Sequence, residues 1–236
     1  MTRNNTIKKY FWIDYLPMAA TAILIIVVAF WKQQSFIKTL PTLITLVVQI
    51  LLARANRTAF LLGGANSLLY AISYLGEMLY FQAFYAVAIS MPLQVYTYFN
   101  WKKNSTGNKP NLRELYPVEK LLTSGCIILL WLLCDKFIGE KINSDYASLD
   151  ILLFFIGVAV TVLSAIRYVD ARYLSLVSCI IDVCLWVIIA VKDPKNINYV
   201  IISVYNLYRG VETLITWSRL TKNKTASQIH KKNNEA

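Results

Sequence analysis

Histidine is nearly absent from this chain: the one copy, His230, lies in a polar tail. No imidazole therefore stands ready to activate a serine or cysteine, and no nucleophile constellation can be assembled. The four cysteines, Cys126, Cys134, Cys179 and Cys184, fall in apolar stretches without a CxxC pair, which argues against a metal site and reads as small core residues. No GxxxxGK[ST] loop is present to cradle a nucleotide triphosphate. Charged residues make up only 16% of the chain, and acids number 13 against 24 basic residues. These shortages exclude an enzyme on the sequence, and they imply no cofactor and no metal.

What the chain has in excess is apolar length. With 57% hydrophobic residues among 236 and a mean hydropathy of +0.48, it is too apolar for an ordinary soluble domain and reads as a polytopic membrane protein. A net charge of +11 would draw a soluble domain to nucleic acid, but here the basic residues fall between apolar runs, where they act as topology signals. Nucleic acid is excluded as a partner, and membrane lipid is expected around the chain.

A spanning helix needs about 20 mostly apolar residues, and eight segments come close: Ile13–Trp31, Ile37–Ala53, Ala59–Leu75, Tyr80–Trp101, Leu121–Phe137, Leu149–Ile166, Tyr173–Val191 and Tyr199–Trp217. The first is too long for a signal-peptide core and lacks a small-residue cleavage site, so it reads as a retained helix. With the N-terminus in the cytoplasm, 17 Lys and Arg fall on the cytoplasmic side and 6 on the other. That imbalance supports eight helices with both termini cytoplasmic, in the cell membrane.

Shifting the chain by 116 positions lays Trp101 on Trp217, Thr97 on Thr213, Tyr70 on Trp186 and Asn66 on Asp182 without a gap. The expected fold class is an all-α polytopic membrane protein with an extra N-terminal helix and a 3+1+3 parallel-repeat core. Its units are 1–36 (cytoplasmic N-terminus and extra helix), 37–101 (first triplet), 102–148 (cytoplasmic loop and linker helix), 149–217 (second triplet) and 218–236 (basic cytoplasmic tail). Four crossings separate equivalent helices, so the triplets share one orientation, as in carriers that hold a solute between two halves.

Polar groups inside such helices need a partner, a wet cavity or a solute. Ser90, Gln94, Thr97 or Tyr98, and Trp101 recur at helical spacing in the fourth segment, and Tyr199, Asn206, Gly210, Thr213 and Trp217 in the eighth. Asn66 stands one turn from Tyr70, and Asp182 one turn from Trp186. An aromatic plane beside a hydrogen-bonding group suits a flat ring bearing hydroxyls, and a cationic ring gains further from Asp182. Asn66 and Gln94 serve equally as interhelical glue. Asp182 has an alternative partner in Arg209, which in turn has Glu212 three residues on. Trp101 and Trp217 precede basic residues, so each is either a membrane-belt anchor or a site residue. Candidate binding residues are thus Asn66, Tyr70, Gln94, Tyr98, Trp101, Asp182, Trp186, Asn206 and Trp217.

The PLQ of Pro92–Gln94 running into the NWKKN of Asn100–Asn104, the GGANSLLYAI of Gly63–Ile72 and the SCIIDVCLW of Ser178–Trp186 resemble the PnuC-type vitamin transporters, whose prototype carries nicotinamide riboside. The resemblance covers roughly Leu40–Trp217. Where the family pattern has an aromatic-glycine pair before the closing tryptophan, this chain has Tyr96-Thr97 and Glu212-Thr213. The resemblance implies a SWEET-like helical plan, passive alternating-access uptake with phosphorylation trapping the solute inside, and a site on the helices of Asn66, Gln94, Asp182 and Asn206. Nicotinamide riboside, thiamine and deoxynucleosides all stay open as the small-molecule substrate, with a SWEET-like sugar carrier and a channel or membrane scaffold as further alternatives. No heptad or GxxxG pattern decides between a monomer and a homo-oligomer.

Overall fold

The computed structural model describes the backbone of residues 2–106, 109–142 and 144–234, and side chains within 15–219 apart from 106–110, 140 and 143. Apart from one small hairpin, the described chain is helical. Its helices are α1 (Thr2–Trp31), α2 (Phe36–Ala53), α3 (Thr58–Gly76), α4 (Tyr80–Phe84), α5 (Met91–Lys103), α6 (Pro117–Ile138), α7 (Ala147–Ala165), α8 (Ala171–Lys192) and α9 (Ile197–Asn234). A π-helical segment, Tyr85–Ser90, joins α4 and α5 into one rod. Strands β1 (Ser105–Thr106) and β2 (Lys109–Pro110) pair antiparallel. The expected segments thus all appear, within a few residues at their inner ends.

Two ends run further than expected. α1 begins at Thr2 rather than Ile13, and α9 continues past Trp217 to Asn234, because no glycine or proline lies between Val211 and Asn234 to stop it. Of the positions expected as a basic tail, 218–234 are therefore helical in backbone, and 235–236 lie outside the described residues. Five described helices, α2, α3, α6, α7 and α8, are long and apolar enough to cross a membrane, and Tyr15–Trp31 is a shorter apolar stretch. The α4–α5 rod is divided by its π segment, and α9 carries Asn198, Asn206, Arg209 and Glu212, which lower its hydropathy.

Six rods close a ring: α2 packs on α3, α3 on α5, α5 on α7, α7 on α8, α8 on α9 and α9 on α2. α1 leans on α2 and α9, and α6 leans on α7. α6 presents Leu121, Leu122, Leu129, Leu132 and Phe137 outward, as a helix bathed in lipid does.

Local chemistry fixes the rods. Backbone N–H groups of Phe81 and Gln82, orphaned at the start of α4, donate to the two carboxylate oxygens of Asp150 on α7 at 2.9 Å each. The ring of Tyr85 lies against Gly157, where a Cβ would sit 3.0 Å from it. The Tyr85 hydroxyl reaches Thr161 Oγ1 at 2.5 Å. These contacts hold the π segment on α7.

The basic loops gather at one end of the bundle. There Ala55, Phe60, Trp101, Leu112, Val169 and Trp217 form a buried cluster. The connection after α5 is bound to the α7–α8 turn by Arg113 N–H to Arg167 O and Val169 N–H to Arg113 O, both 2.9 Å. Leu115 N–H and the Lys120 ammonium both reach the Asp170 carboxylate, at 2.7 and 2.9 Å. At the opposite end Lys38 bonds Glu77 at 2.7 Å and Asn196 at 3.2 Å, and the Lys192 ammonium beside Asp145 holds that carboxyl below the usual carboxylate range.

The structure decides two alternatives left open and corrects one expectation. Trp101 and Trp217 are not belt anchors, being 1% and 0% exposed: an anchor must meet the lipid headgroups, whereas these indoles face inward against each other. Arg209 is fully buried and pairs with Glu212 at 2.5 Å, while Asp182 accepts from the Ser203 hydroxyl at 2.5 Å. The cysteines are not uniformly core: all four are free, and Cys126 and Cys184 are exposed, since the outer face of a membrane bundle is itself apolar.

Candidate functional site

Inside the ring lie three compartments of about 190, 110 and 180 Å³ that share walls. Tyr70 and Tyr74 separate the first two, Asn206 the last two, and Tyr85 with Gln94 the first from the third. They form one irregular cavity running along the bundle between α2–α5 and α7–α9.

The first compartment lies against α3. Here the Pro41 carbonyl accepts from Thr45 Oγ1 at 2.8 Å and from Asn66 Nδ2 at 3.1 Å. Asn66 Nδ2 also reaches Thr45 Oγ1 at 3.0 Å, leaving Asn66 Oδ1 buried without a partner. Gln94 Nε2 donates to Ser90 Oγ at 2.7 Å. Its Oε1 comes so close to Gly63 that a Cβ there would stand 2.3 Å away, so the glycine at 63 is what lets the amide lie across α3.

The second compartment is an aromatic chamber. Trp186 stacks on Tyr199 with centroids 4.2 Å apart, Tyr70 on Tyr74 at 5.6 Å, and Tyr74 faces Trp186 at 6.3 Å with planes 25° apart. Asp182, Ser203 and Asn206 complete its wall. The Tyr70 hydroxyl is 3.0 Å from Thr45 Oγ1, which ties the chamber to the Asn66 network. Asn206 Oδ1 is buried with no partner, so an unpaired amide oxygen and a carboxylate border the stacked rings.

The third compartment is polar, lined by Gln49, Thr97, Thr161, Ser164, Ser175 and Thr213 around Arg172. Below it the tryptophans close the basic end. Their centroids are 5.1 Å apart. Trp101 Nε1 donates to Ser164 O at 2.9 Å, and Trp217 Nε1 to Leu52 O at 3.0 Å.

Of the residues singled out in the sequence, Asn66, Tyr70, Gln94, Asp182, Trp186 and Asn206 line the cavity. Trp101, Trp217 and Tyr98 do not line these compartments: Tyr98 packs against the tryptophan cluster and lies under the Arg57 guanidinium at 5.8 Å. Tyr74, Tyr85, Thr45 and Ser203 were missed. A tyrosine or threonine in an apolar run carries no mark of facing inward, although Tyr74 follows Tyr70 at helical spacing. Arg172 was counted only as a topology charge.

Residues 35–219 match the family model described as nicotinamide mononucleotide transporter. The chain belongs to the nicotinamide mononucleotide transporter family. It is also similar to a solved structure described as the crystal structure of the vitamin B3 transporter PnuC, with a TM-score of 0.77 over 89% of this chain and 92% of that one, at 17% identity. At that identity the likeness establishes the fold. No curated protein matches the chain. As a member of this family the chain is a multi-pass membrane transporter and not an enzyme, and nothing in these likenesses supports a sugar carrier.

Proposed function

We propose that the chain takes up nicotinamide riboside, or a closely similar cationic-ring vitamin or nucleoside, by alternating access through the central cavity. The observation that carries this reading is the aromatic wall of Tyr70, Tyr74, Trp186 and Tyr199 beside Asp182 and Asn206. Tyr74 and Trp186 stand 6.3 Å apart with planes 25° from parallel, and such near-parallel rings offer a face on which a planar solute ring can stack. Asp182 borders that wall with its carboxylate bonded to Ser203 and not to Arg209, which favours a ring carrying positive charge over a neutral base. Asn66 Oδ1 and Asn206 Oδ1 stand ready to accept from ribose hydroxyls.

The transport cycle rests on two related triplets, 37–101 and 149–217, with 102–148 as loop and linker helix and 1–36 as an added helix. All eight rods cross the membrane in this reading, with the basic end, both termini and the 218–236 segment in the cytoplasm. Several contacts support the repeat. Neighbours follow one another in the same order in both triplets. Thr97 and Thr213 each bond back to the carbonyl four residues earlier, at 2.6 and 2.8 Å. Each closing tryptophan donates to the first helix of the other triplet. Ala55 and Arg167, just past α2 and α7, both have positive φ, 52° and 71°. α1 leans on α2 as α6 leans on α7, so the added helix takes the place in its half that the linker helix takes in the other.

The test is titration calorimetry on the purified protein in detergent with nicotinamide riboside, thiamine, deoxynucleosides and glucose, repeated on Asp182→Asn and Trp186→Ala. Binding of one cationic-ring solute, weakened in both variants, supports the reading. Undiminished binding in both places the site elsewhere, and preference for glucose ends the vitamin assignment.

A further inference from the structure

The cavity holds charges of opposite sign at two levels of one helix. Asp182 borders the aromatic chamber, while Arg172, ten residues earlier on α8 and so about 15 Å away, borders the third compartment. Arg172 is more than nine-tenths buried. Its Nη2 donates to Ser164 Oγ at 2.5 Å, and its guanidinium lies on the face of Trp217 at 4.5 Å from the ring centroid. Its Nε–H has no hydrogen-bond partner. Among the described residues no carboxylate pairs with it, and no acidic side chain lines its compartment. The nearby Asp170 is turned the other way, to Leu115 N–H and Lys120.

A buried guanidinium without an anion is costly to keep, and its planar fork matches an oxyanion. We propose that the compartment around Arg172 is an anion subsite that seats a phosphate monoester carried on a ribose. Its volume of about 180 Å³ admits such a group. The Gln49 amide and the Ser175 hydroxyl line it beside the guanidinium and can share the acceptors of a phosphate with it, while the Thr97 and Thr213 hydroxyls are committed to Leu93 O and Arg209 O. Asn206 is common to this compartment and the aromatic chamber, so a sugar held between them extends its substituent toward Arg172. The seat lies directly behind the Trp101–Trp217 closure. An anion entering from the basic end meets Arg172 as soon as the indoles part. On the reading of the cavity as a nucleoside site, on which this inference rests, the phosphorylated solute competes for the cavity from that end.

The experiment is calorimetry on the purified full chain in phosphate-free buffer, with ribose 5-phosphate, inorganic phosphate and nicotinamide riboside as separate probes. The variants are Arg172→Gln, Arg172→Lys and Ser164→Ala. Ribose 5-phosphate binds the parent, loses at least about tenfold in affinity in Arg172→Gln and recovers part of it in Arg172→Lys, while nicotinamide riboside shifts by less than about threefold. Where Arg172→Gln does not fold, Arg172→Lys and Ser164→Ala carry the comparison, each weakening ribose 5-phosphate more than nicotinamide riboside. If inorganic phosphate binds as tightly as ribose 5-phosphate, with the same dependence on Arg172, the seat stands and its occupant is the free ion. Failure of both phosphates to bind the parent overturns the subsite whether or not nicotinamide riboside binds, and phosphate affinity indifferent to all three variants overturns its placement. Arg172-dependent phosphate binding without nicotinamide riboside binding upholds the subsite and removes the nicotinamide riboside reading.

Discussion

Two aromatic layers lie along the bundle axis, and they use the same residue types for opposite ends. At the basic end Phe60 meets Trp101 edge to face and Trp217 lies tilted against Trp101, with Leu112 and Val169 in the same cluster. The indole N–H groups of both tryptophans are committed to backbone carbonyls across the molecule. Around Trp186 and Tyr199 the rings stack in near-parallel pairs, and the polar atoms beside them include amide oxygens without partners. The first layer is satisfied within the protein; the second leaves its hydrogen bonds to be completed. An aromatic cluster in a membrane bundle is therefore better judged by where its polar neighbours bond than by ring count. Saturated polar groups make a closure, and open ones make a site.

The comparison breaks most readily at the closure. Trp217→Ala removes a fully buried side chain and its cross-bundle hydrogen bond, and is expected to cost about 3–5 kcal/mol of stability. Thermal unfolding in detergent checks this, with Trp101→Ala expected to behave alike. A loss under about 1 kcal/mol in both would mean that the indoles are not structural.

In the chamber the balance is reversed. Asp182→Asn keeps the shape and a partner for Ser203 while removing the charge. It should lower affinity for a cationic-ring solute by about tenfold or more, roughly 1.4 kcal/mol, with little change in melting temperature. An equal loss for neutral deoxynucleosides, read by the same calorimetry, would assign Asp182 a hydroxyl-binding role instead.

Tyr74→Leu removes one ring of the proposed stacking wall. An affinity loss worth about 0.5–1.5 kcal/mol is expected, visible as a few-fold to tenfold rise in Kd while Trp217-dependent stability is unchanged. The smallest expected effect is that of Gly63→Ala, whose Cβ displaces the Gln94 amide. Because the end of a glutamine side chain can swing away, uptake should fall only about two- to threefold, on the order of 0.5 kcal/mol. Restoration by Gln94→Ala in the same background would locate the effect in that contact.

Much of this was legible in the sequence. Eight apolar segments, the polar break after Lys102 and the collection of basic residues at one end all follow from the demand that buried backbone be helical and that charge stay out of lipid. Asn66, Gln94, Asp182 and Asn206 stood out because a polar side chain in an apolar run must have a reason to be there. The tryptophans misled, since a Trp before basic residues has the same local pattern whether it meets headgroups or a partner helix. Arg172 was hidden in the same way: beside a loop, an arginine counts as a topology charge until the packing of α8 on α7 and α9 turns it inward.

The sequence by itself determined the class, the number of rods, the gathering of basic residues at one end and several polar residues of the cavity, because each of these is written in local composition and period. Only the tertiary structure decided which aromatic layer is sealed and which is open, that Arg209 belongs to Glu212 and leaves Asp182 to Ser203, and that Arg172 faces the interior. Those outcomes depend on which atoms of distant helices meet, and hydrogen-bond partners over a separation of 165 residues, as between Trp217 and Leu52, leave no mark in the local pattern of either.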